Sequence, residues 1–341
     1  MDIREAITTV ITGKSLTMSD ASDVMLEIMD GVATPAQMGA FLTALHQKGE
    51  TAEEIAGMAL IMRDKALRVN VSHTLTDTCG TGGDGKNTFN ISTATAFVAA
   101  GCGLHIAKHG NRASSGSCGS ADVLEALGVK IDLPPESVEK CINEVGIGFM
   151  FAPVFHPSMR HAGPVRREIG IPTVFNILGP LTNPAFAQHQ LLGIGKSDLG
   201  KTMAEVLALL GTEHAIVVHG EDGIDELTLS GDTHVWEVVG GSVKSWTLTV
   251  KETGLPQSCL ESIQGGTPSQ NAETMRLIFQ GNQSPLRDVV LLNTAAVLLV
   301  ANQVDNISRG IEIAKEAIDT GIALSKMNQL IAMTTDISNS T

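Results

Sequence analysis

From residue 73 onward, strand-length apolar runs alternate with helix-length stretches, and few folds accommodate that pattern. The runs are Leu75 to Cys79, Leu104 to Ala107, Gly146 to Met150, Gln190 to Ile194 and Ala215 to His219. Between them lie Thr93 to Ala100, Ala121 to Leu127, Pro135 to Val145 and Asp198 to Leu210, which read as helices. Strands joined through helices pair in parallel, because a parallel connection needs a crossover of about a dozen residues or more. The chain is therefore read as α/β, with a central, mostly parallel sheet flanked by helices. Ligands of such sheets bind outside the carboxyl ends of the strands.

What precedes and interrupts this pattern is different. Residues 1–70 read as helices only. Ala21, Val24, Met25, Ile28 and Met29 follow the i, i+3, i+4, i+7 rule. Thr34-Pro35 supplies an N-cap followed by Pro at the first helical position, and Thr51-x-x-Glu54 is a capping box. Such short amphipathic helices need a partner surface, so a small all-helical N-terminal domain is expected over 1–72. Residues 152–187 carry six proline dipeptides, from Ala152-Pro153 to Asn183-Pro184. That segment is either a surface excursion or a return to the helical domain. The expected division is 1–72, completed by part of 152–187, and an α/β domain over 73–151 and 188–341. Beyond Gly220, Thr228, Thr233 to Val239 and Val243 to Val250 read as antiparallel strands. Helices then follow at Asn271–Phe279, Leu286–Val300, Ile307–Asp319 and Ala323–Met333.

Charge and cysteine content exclude several functions. The net charge is −14, which argues against sequence-independent nucleic-acid binding. An anionic substrate must be met by local Lys or Arg, by helix N-termini or by a divalent cation. Five cysteines without CxxC spacing predict neither a disulfide framework nor a zinc site, and a reducing cytoplasm is the expected location. No secretory leader is expected, and no apolar run reaches membrane-spanning length. The nearest, Val289 to Ala301, is too short and contains Asn293.

Two glycine-rich polar loops stand about one βα unit apart. The first is Gly80-Thr-Gly-Gly83-Asp84-Gly-Lys-Asn-Thr88-Phe-Asn90-Ile91-Ser92-Thr93; the second is Lys108-His109-Gly110-Asn111-Arg112-Ala113-Ser114-Ser115-Gly116, running on to Ser120. Glycine-rich loops opening helices present backbone N–H groups to an anion with no Cβ in the way. The first loop formally matches GxGxxG, but its helix signal begins only after Phe89. The following strand also ends in Lys108-His109 where a dinucleotide site needs an acidic residue. Gly195-Lys196-Ser197 lacks the first glycine of a P-loop. The alternative is one polyphosphate site spanning both loops. Read singly, Ser92 and Ser120 would be N-caps; two loops and two cations together favour the phosphate reading.

Two further clusters follow. Asp225-Glu226 stands after an apolar strand, either as a solvated acidic turn or as a Mg2+ site, since hard oxygen ligands suit that ion. Arg160, Arg166 and Arg167 form either a basic face or a clamp in which one pairs with a substrate carboxylate. Composition does not choose among the three.

At the level of whole motifs the chain resembles the anthranilate phosphoribosyltransferases of tryptophan synthesis. Asp77-Thr-Cys-Gly-Thr-Gly-Gly-Asp-Gly, Asn90-Ile-Ser-Thr, Ala107-Lys-His-Gly-Asn-Arg, Phe175-Asn-Ile-Leu-Gly-Pro and Gly223-Ile-Asp-Glu-Leu carry the resemblance. It implies a small helical domain on an α/β domain and a homodimer through the helical domains. It also implies phosphoribosyl pyrophosphate on Gly80, Gly83, Asp84, Thr88, Asn90 to Thr93, Lys108 to Gly116 and Ser120. Mg2+, as two ions, would lie at Ser92, Asp225 and Glu226, and anthranilate at Gly80, Asn111 and Arg166, with His109 and the Met150–Pro157 stretch lining its approach. Lys108, Asn111 and Arg166 would be catalytic. A separate anthranilate synthase is the implied upstream partner, with no nucleic acid and no membrane involved. Pyrimidine nucleoside phosphorylases share the first loop but not Lys-His-Gly-Asn-Arg, and nucleic-acid-binding paralogues share the fold; these are the alternatives. The chain departs from the family pattern at Ile171-Pro172, where Arg-Thr is common, and it contains no tyrosine.

Overall fold

The computed structural model describes residues 1–113 and 116–340. Four helices lead: α1 (Ile3–Ile11), α2 (Met18–Met29), α3 (Pro35–Lys48) and α4 (Ala52–Asp64). Each begins at a side-chain cap. Asp2 with Glu5, Thr34 with Gln37 and Thr51 with Glu54 form capping boxes, and Thr17 accepts from the Asp20 N–H. Glu54 is fully buried and has a second task. It accepts from the Leu16 N–H at 2.9 Å and from Lys48 Nζ at 2.9 Å, tying the α1–α2 connection to α4.

The sheet contains β1 (Leu75–Gly80), β2 (His105–Gly110), β3 (Ile147–Phe151), β4 (His189–Gly193), β5 (His214–Gly220), β6 (Thr233–Val239) and β7 (Ser242–Leu248). Their spatial order is β3-β2-β1-β4-β5-β6-β7, parallel through β5 and antiparallel beyond it. The chain moves outward from β1 through β2 to β3, then returns to the other side of β1 with β4. That reversal opens a crevice at the carboxyl ends of β1 and β4. Thr228, expected in a strand, lies instead in the β5–β6 connection. Its hydroxyl donates to Asp222 at 2.7 Å, a local bond that competes with any ladder.

The other helices are α5 (Ile91–Gly101), α6 (Ser120–Leu127), α7 (Pro135–Val145), α8 (Ala152–Phe155), α9 (Met159–Ile169), α10 (Phe175–Leu178) and α11 (Gly200–Leu209). They are followed by α12 (Val250–Thr253), α13 (Pro268–Phe279), α14 (Pro285–Val300), α15 (Ile307–Asp319) and α16 (Ile322–Ser340). The helix expected from Asp198 begins as a 3-10 turn over Ser197–Leu199. Among the described residues no helix is long and apolar enough to cross a membrane.

Two cores face each other across the sheet. Leu191, Ile216 and Val218 pack with α5, α14 and the C-terminal helices, whereas Leu192, Ala215 and Val217 pack with α11 and α1–α4. Neighbouring strand residues point to opposite faces, so this β segment is apolar without alternation. The proline-rich segment joins the second core: Ala162, Val165, Val174, Phe175, Leu178 and Leu181 are buried among residues of α1–α4. The departure at Ile171-Pro172 falls on a solvent-facing turn. Ile171 is exposed, and the Thr173 N–H donates to Asn176 Oδ1 at 3.0 Å to start the next helical turn.

Close helix packing yields a stability test. A Cβ added at Gly57 would overlap the Met18 carbonyl oxygen, where α4 meets α2. In an isolated helix Gly→Ala gains about 1 kcal/mol. Here Gly57→Ala should instead cost about 1–3 kcal/mol through overpacking. Thermal unfolding checks it: the midpoint falls, and a rise would contradict the packing.

Candidate active site

A cavity of about 1050 Å³ lies over the carboxyl ends of β1 and β2, roofed by α9. Its lining includes Gly80, Gly83, Asp84, Thr88, Asn90, Ile91, Ser92, Thr93, Lys108, His109, Gly110, Asn111, Arg112, Ala113, Gly116, Ser120, Arg166, Asp225 and Glu226. Ser114 and Ser115 lie outside the described residues. Residues up to 146 positions apart, from Gly80 to Glu226, are thus brought to one space. Gly195-Lys196-Ser197 is not part of this lining; the Gly195 N–H donates to Thr81 Oγ1 and helps fix the first loop.

The first loop leaves β1 through Gly82, Gly83 and Gly85, all at positive φ, which L side chains rarely adopt. It ends at the N-terminus of α5, so the helix does not start inside the glycines. Asn90 is the N-cap residue, but its side chain makes no cap bond. Its Nδ2 donates to the Cys118 carbonyl at 3.0 Å, and its Oδ1 accepts from Asn271 Nδ2 at 2.9 Å. Ser92 and Ser120 are not caps either. The Ser92 N–H donates to Glu226 Oε1 at 3.1 Å, its Oγ accepts from Lys108 Nζ at 3.3 Å, and Ser120 Oγ donates to the Asn111 carbonyl.

The second loop is organised by Asp122, which accepts from the Ala113 N–H at 3.0 Å and the Gly119 N–H at 2.8 Å. Arg112 pairs with Asp122 and Glu125 on α6, and its guanidinium lies over the Phe151 ring. Part of its charge is therefore already met. Lys108 is almost fully buried, and Nζ donates to the Thr78 carbonyl at 2.6 Å as well as to Ser92. Burial lowers its pKa, opposed by Asp77, whose own pKa burial raises against the pull of Lys108.

The acidic loop after β5 presses on the strand ends. Asp225 Oδ2 accepts from the Gly82 N–H at 2.8 Å. A Cβ at Gly80 would overlap that carboxylate, and one at Gly193 would overlap the Asp225 carbonyl oxygen. Burial, then Asp84, pushes Asp225 up to about 6; burial, then Asp225, raises Glu226 well above the usual carboxylate range. Asp84 Oδ2 is buried without a partner. These carboxylates repel in a partly desolvated space, and a hard divalent cation would relieve them. Among the described residues no three His, Cys, Asp or Glu side chains form a cage for an ion. Of the hard cations, Mg2+ takes one or two carboxylates and completes its shell with water and phosphate. The residues fit the ion.

On the opposite wall Arg166 projects from α9, half-buried, with its guanidinium 5.2 Å from the centre of the Phe175 ring. Burial lowers its pKa. No carboxylate among the described residues lies within 4 Å of it, whereas Arg160 and Arg167 are exposed. Beneath it, His109 and His156 lie 5.0 Å apart, ring to ring. His109 Nδ1 bonds the Gly179 carbonyl at 3.2 Å. A carbonyl only accepts, so Nδ1 carries the proton and Nε2 keeps a lone pair, without a partner.

Sequence reasoning gave no site role to Asp77, Phe175, Gly193 and Asn271, and met His156 only within the Met150–Pro157 stretch. Only Asp77 carried a local signal, as a charged residue inside an apolar strand. The rest are recognisable through contacts between distant segments.

Burial shifts His109 to about 3 and His156 to about 4, from 6.5. Unfolded, both take up protons as pH falls below 6.5; folded, they resist until the lower values. Stability is therefore lost as pH falls through that window, by up to about 1.4 kcal/mol per pH unit for each histidine. His156→Asn should shrink the fall in unfolding midpoint between pH 6.5 and 4.5, compared with the unsubstituted chain. An undiminished fall would contradict the assignment.

Comparison with known proteins agrees with this geometry. Residues 4–66 match the helical bundle domain of a glycosyl transferase family, and residues 72–324 match its a/b domain. The anthranilate phosphoribosyltransferase of Dehalococcoides mccartyi is 55% identical over 339 residues, covering 99% of each chain. That of Chloroflexus aurantiacus is 55% identical over 335 residues, 98% of this chain and 99% of the relative. The crystal structure of the Thermus thermophilus protein superposes with a TM-score of 0.92 at 43% identity, covering 97% of this chain and 99% of that one. The Saccharomyces cerevisiae protein in complex with PRPP and Mg gives 0.89 at 30% identity, covering 98% of each. With its two-domain matches, its full-length similarity and its cavity, the chain belongs to the anthranilate phosphoribosyltransferase family.

Proposed function

We propose that the residues gathered in this cavity transfer the 5-phosphoribosyl group of phosphoribosyl pyrophosphate to the amine of anthranilate. The products are N-(5-phosphoribosyl)anthranilate and pyrophosphate, on the route to tryptophan. One observation carries the substrate reading. Arg166 is a half-buried cation with no carboxylate within 4 Å among the described residues, stacked on Phe175, across a cavity from two glycine loops. An uncompensated guanidinium beside an aromatic ring suits an aromatic carboxylate.

Phosphoribosyl pyrophosphate would lie on the N–H groups of Gly83 to Gly85 and the N-terminus of α5, with Asn90, Ser92, Thr93 and the Lys108–Ser120 segment along it. Ser92, Asp225 and Glu226 would hold Mg2+, as two ions. Bound there, Mg2+ supplies positive charge to the phosphate oxygens of the leaving group. Lys108 fixes the floor beneath them, because its ammonium joins the ends of β1 and α5. Arg166 and Asn111 orient the carboxylate so that the amine faces C1 of the ribose. The C1–O bond to pyrophosphate breaks as the N–C1 bond forms, with inversion, and the amine's surplus proton passes to water. His109 is neutral near pH 7, so its imidazole adds no charge beside the acceptor. Catalysis is then mainly positioning and electrostatics, with no covalent intermediate.

Three wider assignments belong to the same reading. The domain division is 1–72 with part of 152–187, against 73–151 and 188–341; burial of α9 and α10 residues among those of α1–α4 supports the return of 152–187 to the helices. A homodimer through the helical domain is supported by the exposed Ile11 and Val32 on that domain. A cytoplasmic location suits five free cysteines. A separate anthranilate synthase would supply the acceptor.

Two variants test the roles. Arg166→Ala should raise the anthranilate KM roughly 10- to 100-fold, as loss of a bidentate charged pair worth about 1.5–3 kcal/mol requires, and change the phosphoribosyl pyrophosphate KM little. Equal effects on both constants count against the carboxylate role. Asp225→Asn with Glu226→Gln should abolish Mg2+-dependent turnover; near-normal rates rule out the metal assignment.

A further inference from the structure

Helix α14 is buried almost throughout, yet carries a fully buried amide at its centre. Asn293 is 0% exposed, flanked by the buried Leu292 and Thr294. A hydrocarbon side chain would be the cheaper occupant, since an unpaired buried amide costs several kcal/mol on transfer scales. This amide finds most of its partners outside its own helix, on the backbone of the β5–β6 connection. Its Oδ1 accepts from the Leu227 N–H at 3.1 Å, and its Nδ2 donates to the Leu227 carbonyl at 3.0 Å and to the Val289 carbonyl at 2.9 Å. Among the described residues these are the hydrogen bonds that the Leu227 backbone makes. Leu227 directly follows Glu226.

The acidic loop is anchored at its other end by Asp222, which accepts from the hydroxyls of Thr228 and Ser230. Between the anchors, Asp225 and Glu226 face Asp84, and mutual repulsion favours swinging the loop outward. The Asn293 clamp opposes that motion through the backbone, without using either carboxylate. We propose that Asn293 is a positioning residue that holds Asp225 and Glu226 in place before the cation arrives. This rests on the reading of that pair as the Mg2+ site.

The test compares Asn293→Leu with Thr294→Val, whose lost hydroxyl bonds only the Val290 carbonyl of its own helix. Hydrogen exchange is followed over residues 220–229 in metal-free protein, and Mg2+ dependence is measured with phosphoribosyl pyrophosphate and anthranilate. Asn293→Leu should speed exchange at Leu227 and raise half-saturating Mg2+ by about tenfold, the scale on which outer partners of metal ligands act. Its anthranilate KM should stay within about twofold, because the clamp does not touch the Arg166 wall. Thr294→Val should leave loop exchange and Mg2+ dependence unchanged. Asn293→Ser, too short to span both backbone groups, replaces the leucine variant should that not fold. Exchange at Leu227 no faster than in Thr294→Val overturns the proposal. The exchange result reads the clamp without metal, so it is separable from the Asp225→Asn, Glu226→Gln result that tests the metal reading.

Discussion

The cavity depends on how closely the acidic loop after β5 lies against the ends of β1 and β4. Gly80 and Gly193 are the two places where side chains would stand between them, and neither has one. The approach lets the Gly82 N–H reach Asp225 and the Ser92 N–H reach Glu226. One loop is thereby bonded both to the glycine turn and to the first turn of α5. Moving that loop outward by the length of a methyl group would break both bonds. The strand-order reversal makes the crevice; these contacts turn it into a site.

Charge follows from the same closeness. The chain carries −14 overall, so binding a polyphosphate cannot rely on a broad basic face. Cations are instead placed singly. Lys108 is set beneath the floor, Arg112 is shared with α6, and Arg166 stands half-buried with no carboxylate within 4 Å among the described residues. The acceptor side is kept neutral by burial of His109 and His156, which resist protonation well below pH 6.5. The wall that would meet an aromatic acid thus sets the half-buried Arg166 against uncharged imidazoles, with Arg160 and Arg167 exposed at its edge, which favours one orientation of a carboxylate.

Most of the fold was legible because it rests on local rules. The N-cap at Thr34, the capping box at Thr51, the apolar strand runs and the proline breaks all reappear as element boundaries in the structure. Both glycine loops were legible for the same reason, and the dinucleotide reading failed on the late helix start that the structure places at Ile91. What could not be read is long-range. Ser92 and Ser120 look like caps, yet one meets Glu226 and Lys108 and the other supports Asn111. Thr228 looks like a strand residue because β-branching says so, but a nearby carboxylate captures its hydroxyl. Asn293 looked like a mere interruption of an apolar run. Its partner lies 66 positions away, and no periodicity links the two.

The central claim is that the glycine loops, the acidic pair and Arg166 act on one donor and one acceptor together. The most direct measurement is pyrophosphate release by the purified protein, with loss of anthranilate fluorescence followed in the same cuvette. Release should require phosphoribosyl pyrophosphate, Mg2+ and anthranilate at once, with one pyrophosphate formed for each anthranilate consumed. Pyrophosphate release at the same rate without anthranilate, or no release with all three present, would contradict the account.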